Sequence, residues 1–267
     1  MTKKAIAAVG FGVGDAGVKT RCIDSILEDL RSVYGDRYDI YEAWTSRFLI
    51  DKLARQGHAY LDFGQLMAML LKKGYTHVVV MPTHLTPGEE WQKKIQPVLD
   101  EYAGRFKSLK AMEPVLAARS PEDFLLLSRD MSEVFYLDEL EDGEELVLMG
   151  HGSPRQHNIV YENLQEFADR RQLPVHIGVV ENADHPNIDD LLQRFEKKNV
   201  RKVYLRPLLL AGGSHAAYDL AGDQEDSWKN VLTKAGIEVR YSTKGLGEYP
   251  GYRQLYIRKL SLMIRNI

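Results

Sequence analysis

The chain has 267 residues, 44% of them hydrophobic and 27% charged, with a formal net charge of −3 at pH 7. That length exceeds one ordinary domain and suits two of moderate size, each able to bury its own core. The slightly acidic balance gives no support to nucleic-acid or anionic-membrane binding, and no stretch approaches the roughly 20 apolar residues that span a bilayer.

Apolar strand-like runs alternate with longer amphipathic ones along the whole chain. The pattern predicts a strand over 5–10, a helix over 18–33, a strand over 38–44 and helices over 47–55 and 63–73. Next come a strand over 77–82, a helix over 89–103 and a weaker strand over 107–114. After a helix over 121–135 come strands over 145–149, 175–180, 202–209 and 238–241, each trailed by a helix: 158–171, 188–198, 226–235 and 251–264. Such alternation predicts parallel sheets covered by helices on both faces. The apolar run at 5–9 is too short for a signal peptide and breaks into a glycine-rich turn, so the cytoplasm is the expected compartment. Cys22 is the lone cysteine and excludes an internal disulfide; within its amphipathic helix it reads as a buried structural thiol rather than a nucleophile. Ser120-Pro121-Glu122-Asp123 combines a helix cap with proline at the first helical position. A boundary there divides the chain into an N-terminal lobe, 1–119, and a C-terminal lobe, 120–267.

The two halves read as weak copies of each other. Both open with a strand running into a glycine turn, at 5–14 and 146–153. Val78-Val79-Val80-Met81-Pro82-Thr83-His84 parallels the strand 203–207 and the Ser214-His215 beyond it, each with proline near the strand end and a histidine later. His84 is followed by Glu89 and Glu90, His215 by Asp219. Two similar lobes facing a cleft, with histidines from both sides, is the expected arrangement.

Three residues carry the chemistry. His151 lies in Gly150-His151-Gly152-Ser153 and His215 in Gly212-Gly213-Ser214-His215, each in a glycine-bracketed turn after an apolar strand; Val179-Val180-Glu181 ends a third strand in a carboxylate. Strand ends of an open α/β sheet face one crevice, so the three can converge, and two imidazoles with a carboxylate can hold a divalent first-row metal with a position left open. Taken singly, His151 reads equally as a turn histidine bonded to local carbonyls, and His215 as a neighbour of a helix N-terminus. A carboxylate at a buried strand end needs a partner, which a metal or a histidine supplies. Gly10-Phe11-Gly12-Val13-Gly14 lacks the G-x-G-x-x-G spacing of a dinucleotide loop. Its backbone N–H groups can form an anion nest, or the run is only a tight turn. His58, His157 and His185 fall in polar loops and read as solvated, His77 and His176 as structural, and Trp91 and Trp228 as packing residues.

At these residues the chain resembles the anaerobic sirohydrochlorin cobalt chelatases, the CbiK branch of the class II tetrapyrrole chelatases. The resemblance runs over essentially the whole length. It is densest at Gly150-His151-Gly152, Val179-Val180-Glu181 and 208–228, and in the first half at His84 and Gly88-Glu89-Glu90-Trp91. It implies two flavodoxin-like lobes with a tetrapyrrole between them, the last helix packed on the N-terminal lobe, and insertion of Co²⁺ into sirohydrochlorin or a closely related tetrapyrrole during cobalamin synthesis. It makes His151, Glu181 and His215 the metal ligands, with His151 also accepting protons, and His151, His215 and Glu90 the catalytic set. Gly10, Phe11, Gly12, Val13, His84 and Glu90 are implied to bind substrate. The family commonly has Ser-Phe-Gly-Thr where this chain has Gly10-Phe11-Gly12-Val13, so two hydroxyls are missing. Co²⁺ enters as substrate, with Ni²⁺ or Fe²⁺ as the alternative metals; no organic cofactor, nucleic acid or membrane is implied, and a homo-oligomer is compatible. A non-catalytic two-lobed binder of metal or haem is the rival reading from another class.

Overall fold

The computed structural model describes residues 2–121 and 135–264, so the helix expected over 121–135 falls almost wholly outside them. The chain divides into two compact units, Met1–Ala117 with Arg253–Ile267, and Ala118–Tyr252. Each is built on a four-stranded parallel sheet. In the first, β1 (Lys4–Gly10), β2 (Asp39–Trp44), β3 (His77–Pro82) and β4 (Ser108–Ala111) run in the order β2-β1-β3-β4. In the second, β5 (Glu145–Gly150), β6 (Val175–Val179), β7 (Lys202–Pro207) and β8 (Glu238–Tyr241) run in the order β6-β5-β7-β8. Both are the doubly wound order in which the chain reverses direction across the sheet after its first two strands, opening a crevice at the carboxyl ends of β1 and β3, and of β5 and β7.

The central strands are apolar at nearly every position because both their faces are covered. Ala5 to Val9 of β1 are all essentially inaccessible. One face of that sheet, through Ala5, Ala7, Val78 and Val80, packs against Leu66, Met67 and Leu70 of the helix Phe63–Lys72 and against Ile95 and Leu99. In the second unit Val147, Met149, Val203 and Leu205 pack on Leu191 and Phe195 of the helix Ile188–Lys198 and on Trp228 and Leu232. Cys22 is buried, and Trp228 is a packing residue as expected.

Helix boundaries are set by their caps. Asp15 accepts from Val18 N, starting the first helix at Ala16, two residues ahead of the apolar pattern. Ser227 caps Trp228–Lys234, and Asp62 with Gln65 forms a capping box on Phe63–Lys72. Among the described residues three helices contain a π turn: Thr20–Asp24, Trp91–Ile95 and Ala216–Leu220. The helix Pro250–Ile264 crosses from one unit to the other in sequence. From Arg253 on it is bonded within the first unit, with Arg253 Nε on Asp29 at 2.7 Å, Tyr34 Oη donating to the Ile257 carbonyl at 3.2 Å, and Tyr256 Oη donating to the Thr83 carbonyl at 3.0 Å.

Some buried polar groups of the second sheet are fully partnered, as at His176, and others only in part, as at Arg206, whose Nε and Nη2 have no hydrogen-bond partner among the described residues. His176 is 1% exposed, yet Nε2 lies 2.6 Å from Glu145 and Nδ1 accepts from Arg194 Nε at 2.8 Å. Both nitrogens are thereby used by a neutral ring, and burial holds its pKa below the usual 6.5. Arg206, equally buried on β7, donates from Nη1 to the Phe135 carbonyl and to Glu139, with its guanidinium 4.5 Å from the Tyr249 ring centre.

Candidate functional site

The second unit brings His151, Glu181 and His215 together at the carboxyl end of its sheet. Strand register does most of this. Pairing of β5 with β6 runs past the strand ends, with Val180 N–H donating to Gly150 O at 3.0 Å and Glu181 N–H donating to His151 O at 3.1 Å. His151 and Glu181 are thus neighbours on adjacent chain segments, and His151 Nδ1 stands 3.9 Å from Glu181 Oε1. Gly152 permits this closeness: its φ is +79°, and a Cβ there would lie 2.9 Å from Val179 Cβ and 3.1 Å from Glu181 Cβ.

His215 arrives from the other side of β5. It comes after β7, in the short helical turn Gly213–His215 that runs into the π turn Ala216–Leu220. Its ring centre is 4.7 Å from that of His151, nearly perpendicular to it. Both histidines and the carboxylate are half-exposed. Among the described residues no three His, Cys, Asp or Glu side chains stand ready-made in coordinating geometry. His151 is thus adjacent to both Glu181 and His215, but as they stand the three side chains do not meet at a common coordination point.

Their hydrogen bonds decide which ring nitrogens are free. His215 Nδ1 lies 2.6 Å from Asp219 Oδ2, and His151 Nδ1 lies 3.2 Å from the Gly152 carbonyl. A carboxylate and a carbonyl only accept, so each Nδ1 carries the proton and each Nε2 keeps its lone pair. A histidine backed in this way by a carboxylate is a common arrangement in metal sites. Asp219 was visible in the sequence only as a residue after His215; the i,i+4 spacing on a helix is the signal that links them.

The remaining substrate-binding candidates belong to the first unit, at the carboxyl end of its own sheet. Gly10 packs against Thr83, where a Cβ would meet Oγ1 at 2.3 Å, and Gly12, at φ +104°, lies over the Trp44 ring. Packing therefore accounts for both glycines without an anion. Val13 is partly buried, while Phe11 is 49% exposed, an aromatic side chain facing water. Glu90 Oε2 accepts from the buried Thr45 hydroxyl at 2.7 Å. His84 is unusual: both ring nitrogens are buried and neither has a hydrogen-bond partner among the described residues. Burial pushes its pKa down to about 4, with the Val9 backbone acting in the opposite direction. The ring is neutral throughout the neutral pH range, with an unused lone pair.

His157 and His185 are exposed, in line with their reading as solvated, and each also pairs with a carboxylate. His157 Nδ1 is 2.8 Å from Asp184, and His185 Nδ1 is 2.7 Å from Asp190, which depresses the Asp190 pKa and raises that of His185.

The family model for cobalt chelatase (CbiK) matches residues 4–265. A sirohydrochlorin cobaltochelatase of Salmonella typhimurium is 30% identical over 259 residues, covering 97% of this chain and 95% of the relative. Sirohydrochlorin cobaltochelatase CbiKC of Nitratidesulfovibrio vulgaris is 28% identical, covering 99% and 92%. Among solved structures, SirB from Bacillus subtilis with Fe³⁺ superposes with a TM-score of 0.63 at 15% identity, covering 97% of this chain and 95% of that one, which speaks for the fold. No described helix is long and apolar enough to cross a membrane. A match across nearly every residue, together with the twin parallel sheets, means that this chain belongs to the CbiK cobalt chelatase family.

Proposed function

We propose that this protein inserts Co²⁺ into sirohydrochlorin, with His151, Glu181 and His215 presenting the metal. The observation that carries the assignment of residues is the approach of Glu181 and His215 to His151 from the segments that follow three separate strands, both histidines having a protonated Nδ1 and a free Nε2. Neutral imidazole and carboxylate suit Co²⁺, and accept Ni²⁺ and Fe²⁺ on the same terms, so metal competition belongs in the test.

Insertion exchanges one Co²⁺ for two pyrrole N–H protons. A lone pair that holds the metal cannot also accept a proton, so the two roles of His151 are sequential. Handing Co²⁺ to the macrocycle frees Nε2 of His151 and of His215, and these two nitrogens take the two protons from the same nitrogen face. For the first unit, we assign His84, Glu90, Phe11 and the turn Gly10–Val13 to the tetrapyrrole. A neutral His84 with an unused lone pair suits an N–H donor, and its pKa of about 4 suits a relay rather than a resting place for the proton. Phe11 offers an apolar face to the ring. Glu90, held by Thr45, supplies an anionic acceptor.

The test is anaerobic turnover of sirohydrochlorin by purified protein, followed by absorbance, with Co²⁺, Ni²⁺ and Fe²⁺ in parallel. Co²⁺ insertion above the spontaneous rate, reduced at least a hundredfold in His151→Ala and in His215→Ala while circular dichroism stays native, is the expected result. Metal and tetrapyrrole binding without turnover would favour the non-catalytic binder instead.

A further inference from the structure

The carboxylate of Asp184 is fully buried, although nothing in the chemistry of metal insertion calls on it. It accepts four N–H bonds: from Ser153 N at 2.9 Å to Oδ2, and from His157 Nδ1 at 2.8 Å, Asn158 N at 3.1 Å and His185 N at 2.9 Å to Oδ1. Burial of a bare carboxylate is costly, and four donors are what make it tolerable. Three of those donors lie on the loop that leaves β5, while Asp184 lies on the loop that leaves β6. Its own N–H donates to the Glu181 carbonyl at 3.0 Å, closing a turn directly after that carboxylate. Ser153 stands two residues past His151, immediately after the left-handed Gly152.

We propose that Asp184 is a positioning residue for metal capture: one buried carboxylate clamps together the two turns that carry His151 and Glu181. The proposal rests on the reading of those residues as metal ligands. The β5–β6 ladder aligns the two backbones only as far as the bond from Glu181 N to His151 O. Beyond it both chain segments turn away, and the three bonds to Asp184 from Ser153, His157 and Asn158 join one turn to the other. The same carboxylate holds Asn158, whose side chain accepts from Val160 N and caps the helix Ile159–Arg170, so the clamp is anchored to a regular element. A ligand pair 3.9 Å apart that must still close on the metal depends on its turns being held.

Asp184→Asn keeps the shape but turns an NH₂ toward N–H donors. Expected is a KM for Co²⁺ raised at least tenfold, with the directly titrated Co²⁺ Kd rising in step. The KM for sirohydrochlorin and kcat at saturating metal should stay within about twofold. A purely structural carboxylate would lower thermal stability and leave that split absent, so a folded Asp184→Asn with normal Co²⁺ affinity overturns the proposal. Should that variant fail to fold, His157→Ala takes its place, because it deletes one half-exposed donor and leaves the carboxylate satisfied by three. A threefold or greater rise in Co²⁺ KM is expected there, and an unchanged value overturns the proposal. His151→Ala is the control. If it binds Co²⁺ normally, the ligand reading itself falls, and the clamp with it; if it loses Co²⁺ while Asp184→Asn does not, only the clamp falls.

Discussion

His215 shares a helical turn with the carboxylate of Asp219, 2.6 Å from its Nδ1, and that pairing leaves Nε2 as the free donor atom. Replacing Asp219 by Asn puts an amide NH₂ where a pure acceptor stood. The amide can donate to Nδ1, which moves the ring proton to Nε2 and blocks the position a metal needs. Asp219→Asn should therefore weaken Co²⁺ binding roughly 10–100-fold, the range known for partners of ligating histidines, with Asp219→Glu recovering part of the loss; a Co²⁺ titration reads both. His151, Glu181 and His215 were legible in the sequence because each interrupts an apolar run with a glycine turn or a charge. Asp184 was not, since its donors lie 26 to 31 residues away and on the residue next to it, and no spacing advertises a bond across two loops. The unpartnered nitrogens of His84 were equally hidden, for burial of both ring atoms is a property of packing and not of a motif.

At the scale of elements, each of the eight strands among the described residues lies within two residues of its expected bounds at the amino end; the central strands arise from apolar runs, whereas the edge strands Ser108–Ala111 and Glu238–Tyr241 alternate polar and apolar residues. What the periodicity conceals is how helices are wound. The π turns at Thr20–Asp24, Trp91–Ile95 and Ala216–Leu220 leave the 3.6-residue pattern nearly intact while turning the later residues of each helix to a new direction. The last of them begins directly after His215 and contains Asp219. Glycines inside strands carry a separate message. Gly178, near the end of β6, faces Leu191 and Trp228, and a Cβ would come within 2.7 Å of both. Gly178→Ala is expected to cost about 1–3 kcal/mol through overpacking, measured by urea unfolding. Because β6 leads directly to Glu181, a lowered Co²⁺ affinity should accompany the loss.

Over the whole molecule, two units repeat one strand order, which explains why the halves of the sequence align so weakly yet so consistently: topology is shared, side chains are not. Each unit also buries a neutral histidine, His84 in the first and His176 in the second, both with pKa values below the usual 6.5. An unfolded chain binds protons at these positions below about pH 6.5, whereas the folded chain does not until lower, near 4 for His84. The stability that rests on these two neutral rings is thus complete above pH 6.5 and is lost as pH falls toward 4. Urea midpoints should be level from about pH 7 to 8 and decline from about pH 6.5 to 5. His84→Gln should flatten the part of the decline that belongs to the first unit. Arg253 onward belongs to that unit as well, although the entire second unit intervenes in the chain. During synthesis, therefore, the second unit can complete its fold as soon as it emerges, while the first must wait. Tyr256, which donates to the carbonyl of Thr83 next to His84, is made only after both sheets exist. A ribosome stalled before Arg253 would hold a finished second unit and an unsealed first one, so the half assigned to the metal matures ahead of the half assigned to the tetrapyrrole.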